Sequence, residues 1–317
     1  MSSLKYLLGA AVGVAALAAL SVTASAQTVG FSQVGHESDW RTAFSKSMQE
    51  DAVKEGITLK FSDANQKEED QLKAVRSFIA QKVDAIVIAP IVVTGWDQVL
   101  KEAKAANIPV FIVDRNVESD PSLFVCRIAA DFNLEGRLAG AWLAQALKGK
   151  GDIVELQGTV GSAAAEYRMK GFNAVEALFP LIKTVKSQSG DFTTQGGKEV
   201  MESFIKATDG LKGIKAVWAH NDNMLLGAIQ AMKEAGLKPG KDILTISVDG
   251  VPDIFKTIIA GDANASVELR SDIGPDVYSV VKAYLGGKKD WPKWVVIPSD
   301  LHTIADAAEV LKKKEGN

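Results

Sequence analysis

Residues Val110–Arg115 read Val-Phe-Ile-Val-Asp-Arg, an apolar run closed by an acid and a base. β-Branched and aromatic side chains in such a run predict a strand buried on both faces. The strand stops on Asp114 and Arg115 together. A buried strand that ends in two charges carries them to the rim of a sheet. In open α/β sheets that rim, outside the carboxyl ends of the strands, is where ligands bind.

The same reading extends in both directions. Upstream, Thr28–Ser32, Thr58–Asp63 and Ala85–Ala89 read as strands, and Asp39–Lys54, Lys67–Gln81 and Gly95–Ala105 as helices. Ser38 or Asp39 caps the first helix, and Gly56 stands just past its end. Downstream, strands are expected at Leu123–Ala130, Asp152–Gln157, Ile182–Ser189, Ala216–His220, Ile243–Asp249, Asn264–Leu269 and Trp294–Pro298. Between them lie helices at Asn133–Leu147, Ala163–Leu178, Thr193–Ala207, Asp222–Ala235, Pro252–Ala260 and Ile273–Leu285, and a charged helix at Ile304–Lys314 closes the chain. Strands alternating with helices place the chain in the α/β class, with parallel sheets covered by helices on both faces. Two such runs meet near Ala129-Ala130-Asp131 without a Pro/Gly linker, and 317 residues exceed one average domain. Two doubly wound parallel-sheet domains hinged about a cleft are therefore expected.

Composition narrows the function classes. The chain is 47% apolar, enough for sizeable cores, and its net charge of −3 lacks the clustered basic face of a nucleic-acid binder. Lys5 is the only charge before Glu37, an apolar run spans Leu7–Leu20, and Ala24-Ser25-Ala26 forms a small-residue cleavage pattern. Residues 1–26 thus read as a cleaved export signal, too short to span a bilayer comfortably, and the mature chain is expected to begin at Gln27. The single cysteine, Cys126, excludes an internal disulfide and reads as a buried thiol.

The predicted strand ends carry Ser32, Asp63, Asp114 with Arg115, Gln157, Asn221 with Asp222, Asp249 and Glu268. Asp and Asn also cap helices and form turns, so Asp222 reads as a helix cap and Asp63 as part of the turn Asp63-Ala64-Asn65. Taken as a set on one edge, the strand ends predict a ligand rich in hydroxyls. Arg41, Arg115 and Arg168 are balanced by Asp114, Asp249 and Glu268. An anionic ligand would require surplus positive charge or a glycine-rich cradle. A neutral polyhydroxylated ligand suits a balanced set, because each hydroxyl both donates and accepts. Trp40 and Phe192 can supply apolar ring faces, although Trp40 also reads as a helix-start residue packed on the core.

Motifs for catalysis and cofactors are missing. No Gly-x-Gly-x-x-Gly follows the first strand, there is no P-loop, and Gly158-Thr159-Val160-Gly161-Ser162 lacks a P-loop lysine. His36-Glu37 has no second histidine four residues on, and His220 has no nucleophile elbow to serve. No catalytic residue, metal or cofactor is expected.

Longer stretches resemble the periplasmic sugar-binding proteins of ABC transporters, in the ribose- and galactose-binding group. They include TVGFSQ (Thr28–Gln33), KAVRSFIAQ (Lys73–Gln81), VFIVDR (Val110–Arg115), VELQGTVG (Val154–Gly161), SQSGDF (Ser187–Phe192), AHND (Ala219–Asp222), AIQAMKEAGLKPGKDIL (Ala228–Leu244), DGVPD (Asp249–Asp253) and NASVEL (Asn264–Leu269). The resemblance implies a type I binding-protein fold with three crossing segments, near Ala129–Asp131, Glu268–Leu269 and Val295–Ile297. One domain would then comprise 27–129 plus 269–295, and the other 130–268 plus 296–317. Matched to the family pattern, the sugar contacts fall on Asp114, Arg115, Arg168, Phe192, Asn221 and Asp249. Trp40 and Arg41 stand where ribose binders have paired phenylalanines, Glu268 replaces their hinge glutamine, and Ala89 replaces an asparagine. These departures point away from ribose, and Trp40, Arg41 and Glu268 fit a galactofuranose-type pattern. Ser32 and Glu37, on the first strand and its loop, complete the expected ligand set. The implied function is a monomeric periplasmic receptor that captures a neutral monosaccharide and delivers it to an ABC permease. A sensor presenting the sugar to a chemoreceptor or sensor kinase would use the same site.

Overall fold

The computed structural model describes residues 26–316. The expected export signal and the start of its cleavage pattern lie outside the described residues. The strands are β1 (Thr28–Gln33), β2 (Thr58–Asp63), β3 (Ala85–Ile88), β4 (Val110–Val113), β5 (Arg127–Ala130), β6 (Lys150–Gln157), β7 (Leu181–Ser189), β8 (Ile214–Ala219), β9 (Leu244–Asp249), β10 (Ala265–Glu268), β11 (Trp294–Ile297) and β12 (Leu301–Thr303). The helices are α1 (Asp39–Lys54), α2 (Glu68–Ala80), α3 (Asp97–Ala105), α4 (Phe132–Ala146), α5 (Ala163–Glu176), α6 (Thr194–Ala207), α7 (Asp222–Glu234), α8 (Pro252–Ile259), α9 (Gly274–Leu285) and α10 (Ala307–Glu315).

Two six-stranded sheets result, in the orders β2-β1-β3-β4-β5-β11 and β7-β6-β8-β9-β10-β12. All pairs are parallel except β10 with β12. This is the architecture expected from the alternating pattern. In each sheet the chain starts near one edge, steps outward once, then returns past its first strand. The reversal opens a crevice at the carboxyl ends, and each sheet has one.

Alternation explains why both faces need cover. On β3, Ala85 and Val87 pack into the larger core, while Ile86 and Ile88 pack into a second core with Val75, Phe78, Val99 and Leu100. Successive side chains of a strand point to opposite faces, so a fully apolar strand demands helices on both sides.

The chain changes sheet three times, after Ala130, after Glu268 and after Ile297. Helix α9 returns to the first sheet's side, where the Tyr278 hydroxyl donates to Met48 O at 2.7 Å and Gly274 N donates to Ser47 Oγ at 3.0 Å. Ala130, Val296 and Ile297 were expected in the second domain. Parallel pairing of Val296 with Ala129 and Ile297 with Ala130 keeps them in the first sheet, so the change falls one and two residues later.

Two elements differ from the sequence reading. The strand expected at Leu123–Ala130 begins at Arg127, because Pro121–Leu123 forms a 3-10 turn capped by Asp120, whose Oδ1 accepts from Ser122 N at 2.7 Å. The closing helix begins at Ala307 rather than Ile304, because Leu301–Thr303 pairs antiparallel with β10. A three-residue strand carries too short a pattern for periodicity to register.

Candidate functional site

The first turn of α1 brings the first group of side chains to the crevice. Ser38 caps it, its hydroxyl accepting from Arg41 N at 3.1 Å. Helix geometry then points Trp40 and Arg41 back over the rim of the sheet. Arg41 Nε donates to Glu37 Oε1 at 3.1 Å, and its Nη1 lies 2.7 Å from Asp114 Oδ2. Trp40 Nε1 donates to Leu269 O at 2.6 Å, in the segment that leaves the second sheet. From the end of β4, Arg115 Nη1 donates to Ile91 O at 2.9 Å, and its Nη2 lies 3.5 Å from Glu37.

The second sheet supplies the opposing wall. Arg168, on α5, donates through Nε to Glu135 at 2.8 Å and through Nη1 to His220 O at 2.6 Å. Its Nη2 is 3.6 Å from Asp249 Oδ1 at the end of β9. Asn221 Oδ1 caps α7 by accepting from Met224 N, and its Nδ2 donates to Phe192 O at 3.0 Å. The Phe192 ring sits 5.3 Å beneath the Arg115 guanidinium, so one lobe's cation lies over the other lobe's aromatic face.

These walls meet around a small cavity. Its lining includes Glu37, Trp40, Arg41, Asp114, Arg115, Arg168, Phe192, Asn221 and Asp249. Nine residues singled out in the sequence thus meet in one place. Two do not. Ser32 is fully buried near the end of β1 and does not line the cavity. Glu268 turns away from the cavity, pairing with His302 Nε2 at 3.2 Å and with Lys314 of α10. Sheet geometry explains Glu268, because alternate residues at a strand end face opposite sides and its neighbour Leu269 lines the cavity. The charge balance survives with Glu37 in place of Glu268: three carboxylates face three guanidinium groups.

Burial sets the electrostatics. It pushes the Glu37 carboxyl up, but Arg41 and Arg115 outweigh it, and the group ends below its usual range. Burial, with Arg41 and Arg168 nearby, lowers Arg115 to about 10 despite Glu37 and Asp114. Asp249 is raised well above the usual carboxylate range by burial, and Asp222 behind it adds to the effect against the pull of Arg168.

Two further observations concern this cavity. Among the described residues, Glu37 Oε2, Arg115 Nε and Arg168 Nη2 are buried without a hydrogen-bond partner in the protein. Buried polar groups are nearly always satisfied, and three unsatisfied ones share this cavity. Asp114, Phe192 and Asp249 also hold φ values of 59°, 63° and 123°. For a phenylalanine this region is a genuine outlier, and such strain persists where surrounding structure enforces it.

Sequence reasoning missed Ser38, Ala164 and Leu269 in the lining. It also missed Glu135, which grips Arg168. A charge inside a helix ordinarily reads as solvent-facing. The available signal was the small residues around it, Gly136, Ala139 and Gly140, which mark a face pressed against another helix.

Residues 29–289 match the family model described as a periplasmic binding protein domain. The chain is 54% identical to the galactofuranose-binding protein of Escherichia coli (strain K12) over 293 residues, 91% of each chain. A crystal structure of a galactofuranose-binding protein aligns with a TM-score of 0.90 and 53% identity, covering 92% of this chain and 99% of that one. The binding-protein component of an arabinose ABC transporter from Shewanella sp. ANA-3, solved with α- and β-L-arabinofuranose, aligns with a TM-score of 0.89 and 57% identity, covering 92% and 96%.

Proposed function

The chain belongs to the periplasmic binding protein family, and from that premise we propose that it closes two lobes around one neutral monosaccharide in its furanose form. It is a sugar receptor of the ABC-transporter kind. The observation that carries the reading is the balanced cavity: three acids and three bases from two sheets, with three buried polar atoms lacking a hydrogen bond inside the protein. An uncharged ring bearing several hydroxyls matches both features. Glu37, Asp114 and Asp249 accept hydrogen bonds from hydroxyls, while Arg41, Arg115, Arg168 and Asn221 donate to hydroxyl oxygens. Trp40 and Phe192 cover the C–H faces. The furanose preference is supported by the two sugars in the relatives' names.

The lobes act as hinged domains, residues 27–130 with 269–297 and 131–268 with 298–317. What supports this division is the sheet membership of β5 and β11. Cleavage after Ala26 would release a periplasmic monomer that hands its sugar, unchanged, to a membrane permease.

Calorimetric titration of the mature chain against galactofuranose, arabinofuranose and their pyranose forms tests the proposal. We expect one site per chain, furanose favoured, and sugar recovered unaltered. Equal affinity for both ring forms would remove the furanose assignment, and binding of phosphorylated sugars alone would remove the neutral-ligand reading.

A further inference from the structure

Glu135 lies in the first turn of α4 and is fully buried, yet it does not line the cavity. One of its oxygens accepts from Arg168 Nε at 2.8 Å. The other accepts from Ser299 Oγ at 3.0 Å. Ser299 belongs to the short segment between β11 and β12, the third passage between the sheets. One carboxylate therefore joins an arginine of the sugar cavity to a crossing segment of the hinge.

Helix packing makes this reach possible. A Cβ on Gly136 would stand 2.1 Å from Arg168 O, and one on Gly171 would stand 2.2 Å from Asn133 O. Helices α4 and α5 thus touch backbone to backbone at Glu135, and no larger residue fits at either glycine. The guanidinium of Arg168 is then held by Glu135 at Nε and His220 O at Nη1, with Phe132 5.1 Å below. Only Nη2 is left without a partner, and Asp249 beside it marks the cavity side.

We propose that Glu135 is a positioning residue for the sugar: it fixes the plane of Arg168 so that Nη2 faces the ligand, and through Ser299 ties that plane to the hinge. The inference rests on the sugar-receptor reading. Glu135 touches no ligand and acts only through Arg168. The hinge link makes the donor's aim depend on how the lobes are set.

The test is a double-mutant cycle by titration calorimetry on the mature chain with its best furanose ligand. Glu135→Gln keeps the shape but gives up the charge, and we expect affinity to fall about tenfold. Ser299→Ala should cost about threefold, as expected for one neutral hydrogen bond. Added to Arg168→Lys, Glu135→Gln should cost nothing further, because groups that act as one unit are not additive. A purely structural role would give independent, additive losses and would overturn the proposal, as would wild-type affinity in Glu135→Gln. Where Arg168→Lys binds too weakly to titrate, the Arg168 Nε–H signal in a nitrogen-15 spectrum decides. We expect it sharp and slow to exchange in the wild type and lost in Glu135→Gln. A signal unchanged by that substitution would overturn the proposal. Failure of the unaltered protein to bind any sugar would instead defeat the receptor reading, and the proposal with it.

Discussion

Asp39 and Asn223, 184 residues apart in the chain, exchange two hydrogen bonds across the mouth of the cleft. Asp39 N donates to Asn223 Oδ1 at 3.2 Å, and Asn223 Nδ2 donates to Asp39 Oδ2 at 3.0 Å. Asp39 opens α1 on one lobe and Asn223 opens α7 on the other. At a second point Val93 N donates to Gly161 O at 3.0 Å. Both contacts join the lobes without belonging to the ligand's polar set, so they bear on closure itself.

Removing the paired bonds with Asn223→Ala should weaken binding about three- to tenfold. The factor should be the same for every sugar, because a contact that shifts the closed fraction scales all apparent affinities alike. Titration with three sugars of different affinity checks this. A change in their ranking would place Asn223 in the recognition of the sugar instead.

Asp114 carries a carboxylate between Arg41 and the cavity. Asp114→Asn keeps the shape and loses the charge, and affinity should drop by about 1.5–3 kcal/mol, one charge-assisted hydrogen bond. Circular dichroism should show the fold intact. Wild-type affinity in this variant would remove Asp114 from the site.

Phe192 rests on Gly158 so closely that an added Cβ would stand 1.9 Å from the ring's Cζ. Gly158→Ala must therefore tilt the ring away from its place under Arg115. We expect about tenfold weaker binding, with overpacking costing about 1–3 kcal/mol of stability. The loss should be smaller in a Phe192→Leu background, where the ring is already gone. Equal losses in both backgrounds would break the link between glycine and ring.

Glu268 and His302 predict a pH signature in stability. Burial pushes the Glu268 carboxyl up, but hydrogen bonds from His302 and Lys314 outweigh it and bring it down to about 2. A depressed folded value means the contribution is present above the ordinary value near 4.5 and is lost as pH falls toward 2. His302 is raised, chiefly by its bond to Glu268, with burial opposing and Asp306 assisting. Its contribution is present below about 6.5 and is lost as pH rises through the folded value. The melting-temperature gap between wild type and Glu268→Gln should therefore close on acidification toward pH 2, and the gap for His302→Gln should close on going alkaline. Gaps that stay constant with pH would show that these groups do not titrate between folded and unfolded states.

Much of this molecule is readable residue by residue. The apolar run Val110–Val113 could only be a strand buried on both faces, and Asp114 with Arg115 could only stand at its rim. Ser38 announces a helix start by its chemistry and caps α1. Asp222, read as the cap of α7, is not: Asn221 caps that helix, and the Asp222 carboxylate instead accepts from Ser247 Oγ, Ser266 Oγ and Val251 N. Glu268 is not readable in this way. It too follows an apolar strand, but its side chain leaves the cavity for His302 and Lys314, partners placed by β12 and α10. β12 is three residues long, and nothing in its spacing announces that it will pair with β10.

The order of strands and helices, the caps and the polar strand ends follow from the amino acids alone, because each depends on neighbours two to four positions away. Tertiary structure alone decided which carboxylate meets which guanidinium, that Glu135 stands behind Arg168, and that Asp39 finds Asn223. Those pairings depend on how two sheets lie against each other, which is settled by packing between residues far apart in the chain.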